Sequence, residues 1–164
     1  MTPADSAVNI RPMTPADLDQ VLAIEQSLQQ APHWPHSAYI SALDPIGLPL
    51  RLALVSSDPS TKAVLAFAIA SLLPPQAELE MIAVAPEFQR RGLARSLFAA
   101  LTNSFSAHHI SEVILEVRAS NHPAIAVYNH LGFAETARRP RYYADPVEDA
   151  VLLGLRLALP LRPQ

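Results

Sequence analysis

Seven consecutive residues, Gln89-Arg90-Arg91-Gly92-Leu93-Ala94-Arg95, gather three guanidinium groups around a glycine, where a strand-like apolar run gives way to a helical pattern. The first N–H groups of a helix have no partners inside it, and the helix dipole places about half a positive charge there. Arginines at that end oppose the dipole by roughly a few tenths of a kcal/mol each, so an anion is expected to compensate. Gly92 and Ala94 keep the approach to the backbone open. The chemistry this turn suits is the binding of a phosphate or pyrophosphate. It lacks both the G-x-G-x-x-G of a dinucleotide fold and the G-K-[ST] of a Walker loop.

Groups able to move protons lie on either side of the turn. In residues 112–118, Val113, Leu115 and Val117 alternate with Glu112, Ile114, Glu116 and Arg118, which is a strand with one apolar face. The Glu116 carboxylate therefore points to the opposite face. By residue type alone it is equally a carboxylate on a solvated surface, paired with Arg118 or with a neighbouring strand. Tyr128 belongs to a short helix opened by Asn121 and Pro123 and closed by Gly132, where a core aromatic with its hydroxyl at the surface is the plain alternative. Glu78 and Glu80 could form a negative lining that attracts a cation. There is no cysteine to carry a covalent intermediate, and the six histidines show no metal-ligand spacing, so no metal is expected.

The elements that must position these groups are legible in part. Residues 8–12 read as a first strand. Thr14-Pro15-Ala16-Asp17 is a helix start, with a hydroxyl cap, proline in the first turn and an acid at the third position. Leu18, Val21, Leu22, Ile24 and Leu28 follow at helical spacing. Residues 29–49 are irregular around Trp34, with a short helix near 37–43. Runs 50–55 and 63–73 flank a polar turn and form a hairpin. Strand 78–84 ends at Ala85-Pro86. A helix from Gly92 to about Phe105 buries Leu93, Leu97, Leu101 and Phe105. Residues 151–159 look like a last strand. This order of elements gives an α/β (α+β) mixed sheet.

Bulk properties bound the function. The 164 residues suit one domain, 1–164, with a core of about 8–159. A net charge of −3 speaks against a nucleic-acid partner and mildly favours a cationic substrate. No apolar run approaches the ~20 residues of a membrane span, and no signal peptide is recognisable. A cytoplasmic protein without a membrane partner is the expectation. Of the 16 prolines, none falls in 87–122 or 124–139, which leaves those windows free for regular structure.

On these residues the chain resembles the GNAT N-acetyltransferases, whose acetyl-CoA signature Q/R-x-x-G-x-G/A is met by Gln89, Gly92 and Ala94. Residues 115–121, Ala124-Ile125-Ala126-Val127-Tyr128, Leu131-Gly132-Phe133 and Arg141-Tyr142-Tyr143 look like the RimI branch, which acetylates the N-terminal alanine of a small-subunit ribosomal protein. The resemblance implies a GNAT fold whose central sheet splays to admit acetyl-CoA as co-substrate. It implies that backbone groups of Ile82, Ala83 and Val84 pair with the pantetheine arm, that Arg90, Arg91, Gly92, Leu93, Ala94 and Arg95 hold the pyrophosphate beside Gln89, and that Asn121 reaches the arm. It assigns Glu116 as general base and Tyr128 as general acid, with Glu78 and Glu80 as rival bases. The acceptor would be a protein N-terminus, a ribosomal one by this likeness. Another N-terminus, a lysine or a small amine is the alternative acceptor, and a non-catalytic acyl-CoA-binding module is the alternative of another class.

Overall fold

The computed structural model describes residues 7–158. The elements run β1 (Asn9–Pro12), α1 (Leu18–Ser27), α2 (His36–Ala42), β2 (Leu50–Ser57), β3 (Val64–Leu73), β4 (Gln76–Val84), α3 (Leu93–Phe105), β5 (Glu112–Arg118), α4 (His122–His130), β6 (Ala134–Ala144) and β7 (Val147–Arg156). They build a seven-stranded sheet in the order β1-β2-β3-β4-β5-β7-β6. Every pairing is antiparallel except β4 with β5. The residues before α1 form the expected capping box, in which the Thr14 N–H donates to Asp17 Oδ2 at 2.8 Å. Arg11 clamps the same carboxylate at 2.7 and 2.8 Å.

Each face of the sheet carries its own core. Leu97, Leu101 and Phe105 of α3 pack on Val113 and Leu115 of β5 and Leu153 of β7. On the other face, Val21 and Ile24 of α1 and Tyr39 of α2 pack on Val55, Phe67 and Ile69. Strand β4 contributes to both because it contains a bulge. Ile69 opposes Met81 while Ala70 opposes Leu79, which leaves Glu80 as an extra residue. Before the bulge Ala77 and Leu79 enter the α3 core, and after it Met81 and Ala83 enter the α1/α2 core.

The parallel pair is where the sheet opens. β4 and β5 are in register only from Gln76 to Glu78 against Glu112 to Ile114. Beyond that point β4 pairs only with β3, and β5 only with β7, so a wedge opens between their C-terminal ends. Gln76 Nε2 pins the closed end by donating to Glu112 Oε2 at 2.8 Å.

The C-terminal region departs from the sequence expectation. β6 is an additional strand, almost entirely exposed, with Pro140 inside it and register irregularities between Glu135 and Ala137 and between Arg139 and Tyr143. Nothing in its residues alternates, and only an edge strand tolerates a proline that cannot donate to the ladder. The last strand begins at Val147 rather than 151 and ends at Arg156; residue 159, its expected end, lies outside the described residues.

Candidate active site

The turn 89–95 joins the open end of β4 to α3. Gly92 is the N-cap of α3 and has φ of +79°, and Arg90 is also left-handed at +63°. The left-handed region costs an L side chain about 1–2 kcal/mol, which is why glycine stands at the cap. A Cβ added to Gly92 would meet no heavy atom within 4 Å, so the space beside the first turn is open. Arg90, Arg91 and Arg95 are exposed, and Arg91 lies 5.3 Å over the Phe88 ring. Leu93 faces the other way: its side chain is buried in the α3 core, so only its backbone is available at the turn. Gln89 braces the turn by donating from Nε2 to the Val84 carbonyl at 3.2 Å. Asn121 caps α4, its Oδ1 accepting from the Ala124 N–H at 3.3 Å. Ile82, Ala83 and Val84 pair with β3 along one edge of β4, and the other edge borders the wedge.

These features fit the pyrophosphate and arm of acetyl-coenzyme A. A phosphate can approach the unpartnered N–H groups of α3 over Gly92 without meeting a side chain, with cations on either hand. An extended chain entering the wedge meets the free edge of β4.

Glu116 and Tyr128 lie on opposite faces of the sheet. Tyr128 packs against the α3 core, edge-on to Phe133 at 6.0 Å between centroids. Burial, with a smaller contribution from Tyr143, pushes its pKa up to about 12. Glu116 faces away from that core, in a cleft of about 240 Å³ lined by Glu78, Ile114, Glu116, Thr136, Arg139 and Leu152 among others. Gly154 makes room there, since an added Cβ would come within 3.1 Å of Thr136 Cγ2. The partner of Glu116 is Arg139 of β6 at 3.4 Å. Arg118, one of the two partners open to it by residue type, pairs with Glu148 at 3.4 Å and lies 4.2 Å over the Tyr143 ring.

The two other acids of the region differ from each other. Glu80, the bulge residue, is held by Arg51 of β2 at 2.7 Å. Glu78 is exposed on the rim of the cleft. Desolvation by the surrounding strands, then the charges of Glu80 and Glu116, raise its pKa above the ordinary carboxylate range. Trp34 is half-buried, its ring tilted at 48° to that of Tyr39 with centroids 5.4 Å apart, and packed against the α1/α2 core. The Trp34 backbone N–H donates to the buried Glu25 carboxylate at 2.7 Å, and the Tyr39 hydroxyl donates to the other oxygen of that group. The sequence flagged Trp34 but gave no sign of Glu25, whose partners come from the following loop and helix.

The pattern of the acetyltransferase (GNAT) family matches residues 20–133. The chain belongs to this family. Among characterised relatives of this GNAT acetyltransferase, the [ribosomal protein bS18]-alanine N-acetyltransferase of Salmonella typhimurium is 41% identical over 112 residues, covering 67% of this chain and 73% of that protein. An N-alpha-acetyltransferase of Saccharolobus solfataricus is 32% identical over 146 residues, covering 84% and 86%. The crystal structure of the Escherichia coli ribosomal-protein-S18-alanine N-acetyltransferase superposes with a TM-score of 0.79 at 33% identity, covering 94% of this chain and 96% of that one. The splayed mixed sheet is thus the GNAT fold, and the enzyme is RimI-like.

Proposed function

We propose that this acetyltransferase moves the acetyl group of acetyl-coenzyme A to the N-terminal alanine α-amine of a small-subunit ribosomal protein. The observation that carries the reading is the wedge between β4 and β5, beside which Glu116 lines a cleft on one face of the sheet while the half-buried Tyr128 packs on the other. The relatives supply the acceptor: one is named for acetylating bS18 alanine, and a second for acetylating α-amines.

In this reading Glu116 takes a proton from the acceptor nitrogen. The neutral nitrogen then attacks the thioester carbonyl, a C–N bond forms, and the C–S bond breaks. Tyr128 gives its phenolic proton to the departing sulfur, a role suited to a hydroxyl that stays protonated at neutral pH. The nitrogen's second proton leaves to solvent, which returns a proton to the Tyr128 phenolate. The Arg90–Arg95 turn and the β4 edge hold the donor, with Asn121 and Gln89 beside it. A single carboxylate base suits an α-amine, which is neutral in roughly one molecule in ten at pH 7, better than a lysine, neutral in about one in 2,500. The reaction needs no metal, and the reading places the enzyme in the cytoplasm with its ribosomal substrate.

The test is turnover of acetyl-coenzyme A with the peptide Ala-Arg-Tyr-Phe against the same peptide blocked at its amine and against lysine amide. Acetylation of the free α-amine alone supports the reading. Preferential acetylation of lysine amide would move the enzyme to a side-chain acceptor, and cofactor binding without any turnover would make it a binding module.

A further inference from the structure

A row of charged side chains crosses the α1/α2 face of the sheet at the mouth of the wedge. It runs from Arg51 on β2 to Glu80 and Glu78 on β4, Glu116 on β5 and Arg139 on β6. Two of its acids are matched by arginines, Glu80 by Arg51 at 2.7 Å and Glu116 by Arg139 at 3.4 Å. Glu78 sits between these pairs and has no ion-pair partner among the described residues. Three carboxylates against two guanidinium groups leave the row one positive charge short, at the position that lines the cleft with Glu116.

Side-chain alternation puts Glu78 and Glu80 on one side of β4, and of the two only Glu80 is hydrogen-bonded by Arg51. Glu78 also stands at the last register position of the parallel pair, opposite Ile114, where the wedge begins.

We propose that Glu78 is the seat of the acceptor's ammonium group, completing the charge row and holding the nitrogen beside Glu116 for deprotonation. Glu78 is then a binding residue, distinct in role from the base. The conditions that raise its pKa, partial desolvation and two neighbouring carboxylates, are those that an arriving cation relieves. Arg139 lines the same cleft and lies 5.5 Å over the Tyr142 ring, so β6 borders the seat on that side. The inference rests on the proposed acetyl transfer to an amine, but not on the ribosomal identity of the acceptor.

The test compares wild type with Glu78→Gln on whichever of Ala-Arg-Tyr-Phe, alaninamide and lysine amide the wild type acetylates. An ammonium seat predicts an acceptor KM raised about tenfold or more. kcat at saturating acceptor and the KM for acetyl-coenzyme A should stay within about twofold. Melting temperature at neutral pH should not fall, since the variant removes a carboxylate crowded by Glu80 and Glu116. An unchanged acceptor KM overturns the proposal, and so does a large fall in kcat at unchanged KM, which would make Glu78 the base. Wild-type turnover of alaninamide or lysine amide but not the peptide sinks the ribosomal reading while leaving the Glu78 comparison intact. No turnover of any of the three removes both.

Discussion

In the proposed mechanism Glu116 and Tyr128 divide the proton traffic, and they should fail differently. Glu116→Gln keeps shape and a hydrogen bond while losing the proton acceptor. kcat should fall by about 10²–10⁴-fold with acetyl-coenzyme A affinity nearly intact, and raising the pH should restore part of it as more amine becomes neutral unaided. Tyr128→Phe removes the donor, and a higher pH should not bring it back. The sign for Tyr128 follows from its burial. A phenol with its pKa pushed up to about 12 stays protonated, and so able to donate, until the pH approaches that value. The wild-type kcat profile should therefore show no alkaline loss attributable to Tyr128 below about pH 10. Paired kcat–pH profiles check this, and an alkaline limb near pH 9 that vanishes in Tyr128→Phe would contradict it.

At the scale of the element, the cofactor turn and the α1 cap each depend on one residue. Gly92 holds φ of +79° beside open space, so a substitution there acts through backbone strain and through bulk brought to the anion, not through a clash with the protein. Gly92→Val should weaken acetyl-coenzyme A at least tenfold, about 1.4 kcal/mol, and Gly92→Ala by less, as calorimetry on the folded variants would report. Asp17 is held by Arg11 first, then by the Thr14 backbone and hydroxyl, and its carboxyl lies below the ordinary range. Its stabilisation is complete above the unfolded value near 4 and is lost as pH falls through the lower folded value. Asp17→Asn should therefore lower the melting temperature at pH 7, with the gap to wild type closing as the pH drops below about 4.

At the scale of the molecule, the two cores are joined through one sheet that is continuous only at the closed end of the β4–β5 wedge. A ligand bridging the open end should stabilise the whole. Acetyl-coenzyme A at about 100 times its Kd is worth about 2.7 kcal/mol, or roughly 5–10 °C in a chain of this size. The reading of residues 1–164 as one GNAT domain predicts that unfolding stays a single transition with and without ligand. Scanning calorimetry at several ligand concentrations tests both. Two transitions, only one moving with ligand, would mean the faces unfold separately.

Local periodicity was legible in the sequence because side-chain direction follows backbone period. The alternation of 112–118 put Glu116 on the face opposite Val113, Leu115 and Val117, and the structure agrees. The residues around Gly92 marked a helix start, and Thr14 to Asp17 marked a cap. Pairing across the chain was not legible. β6 shows no alternation and carries a proline, so only its place at the sheet edge makes it a strand. The bulge at Glu80 exists only in register with β3, yet it decides which residues of β4 enter which core. Pairing across the sheet brings Arg51 to Glu80 and Arg139 to Glu116, contacts between residues far apart in the chain. The sequence by itself determined which residues could do the chemistry. Tertiary structure decided which of its acids are neutralised and which one faces the wedge uncompensated, because charge balance depends on distances that no local pattern encodes.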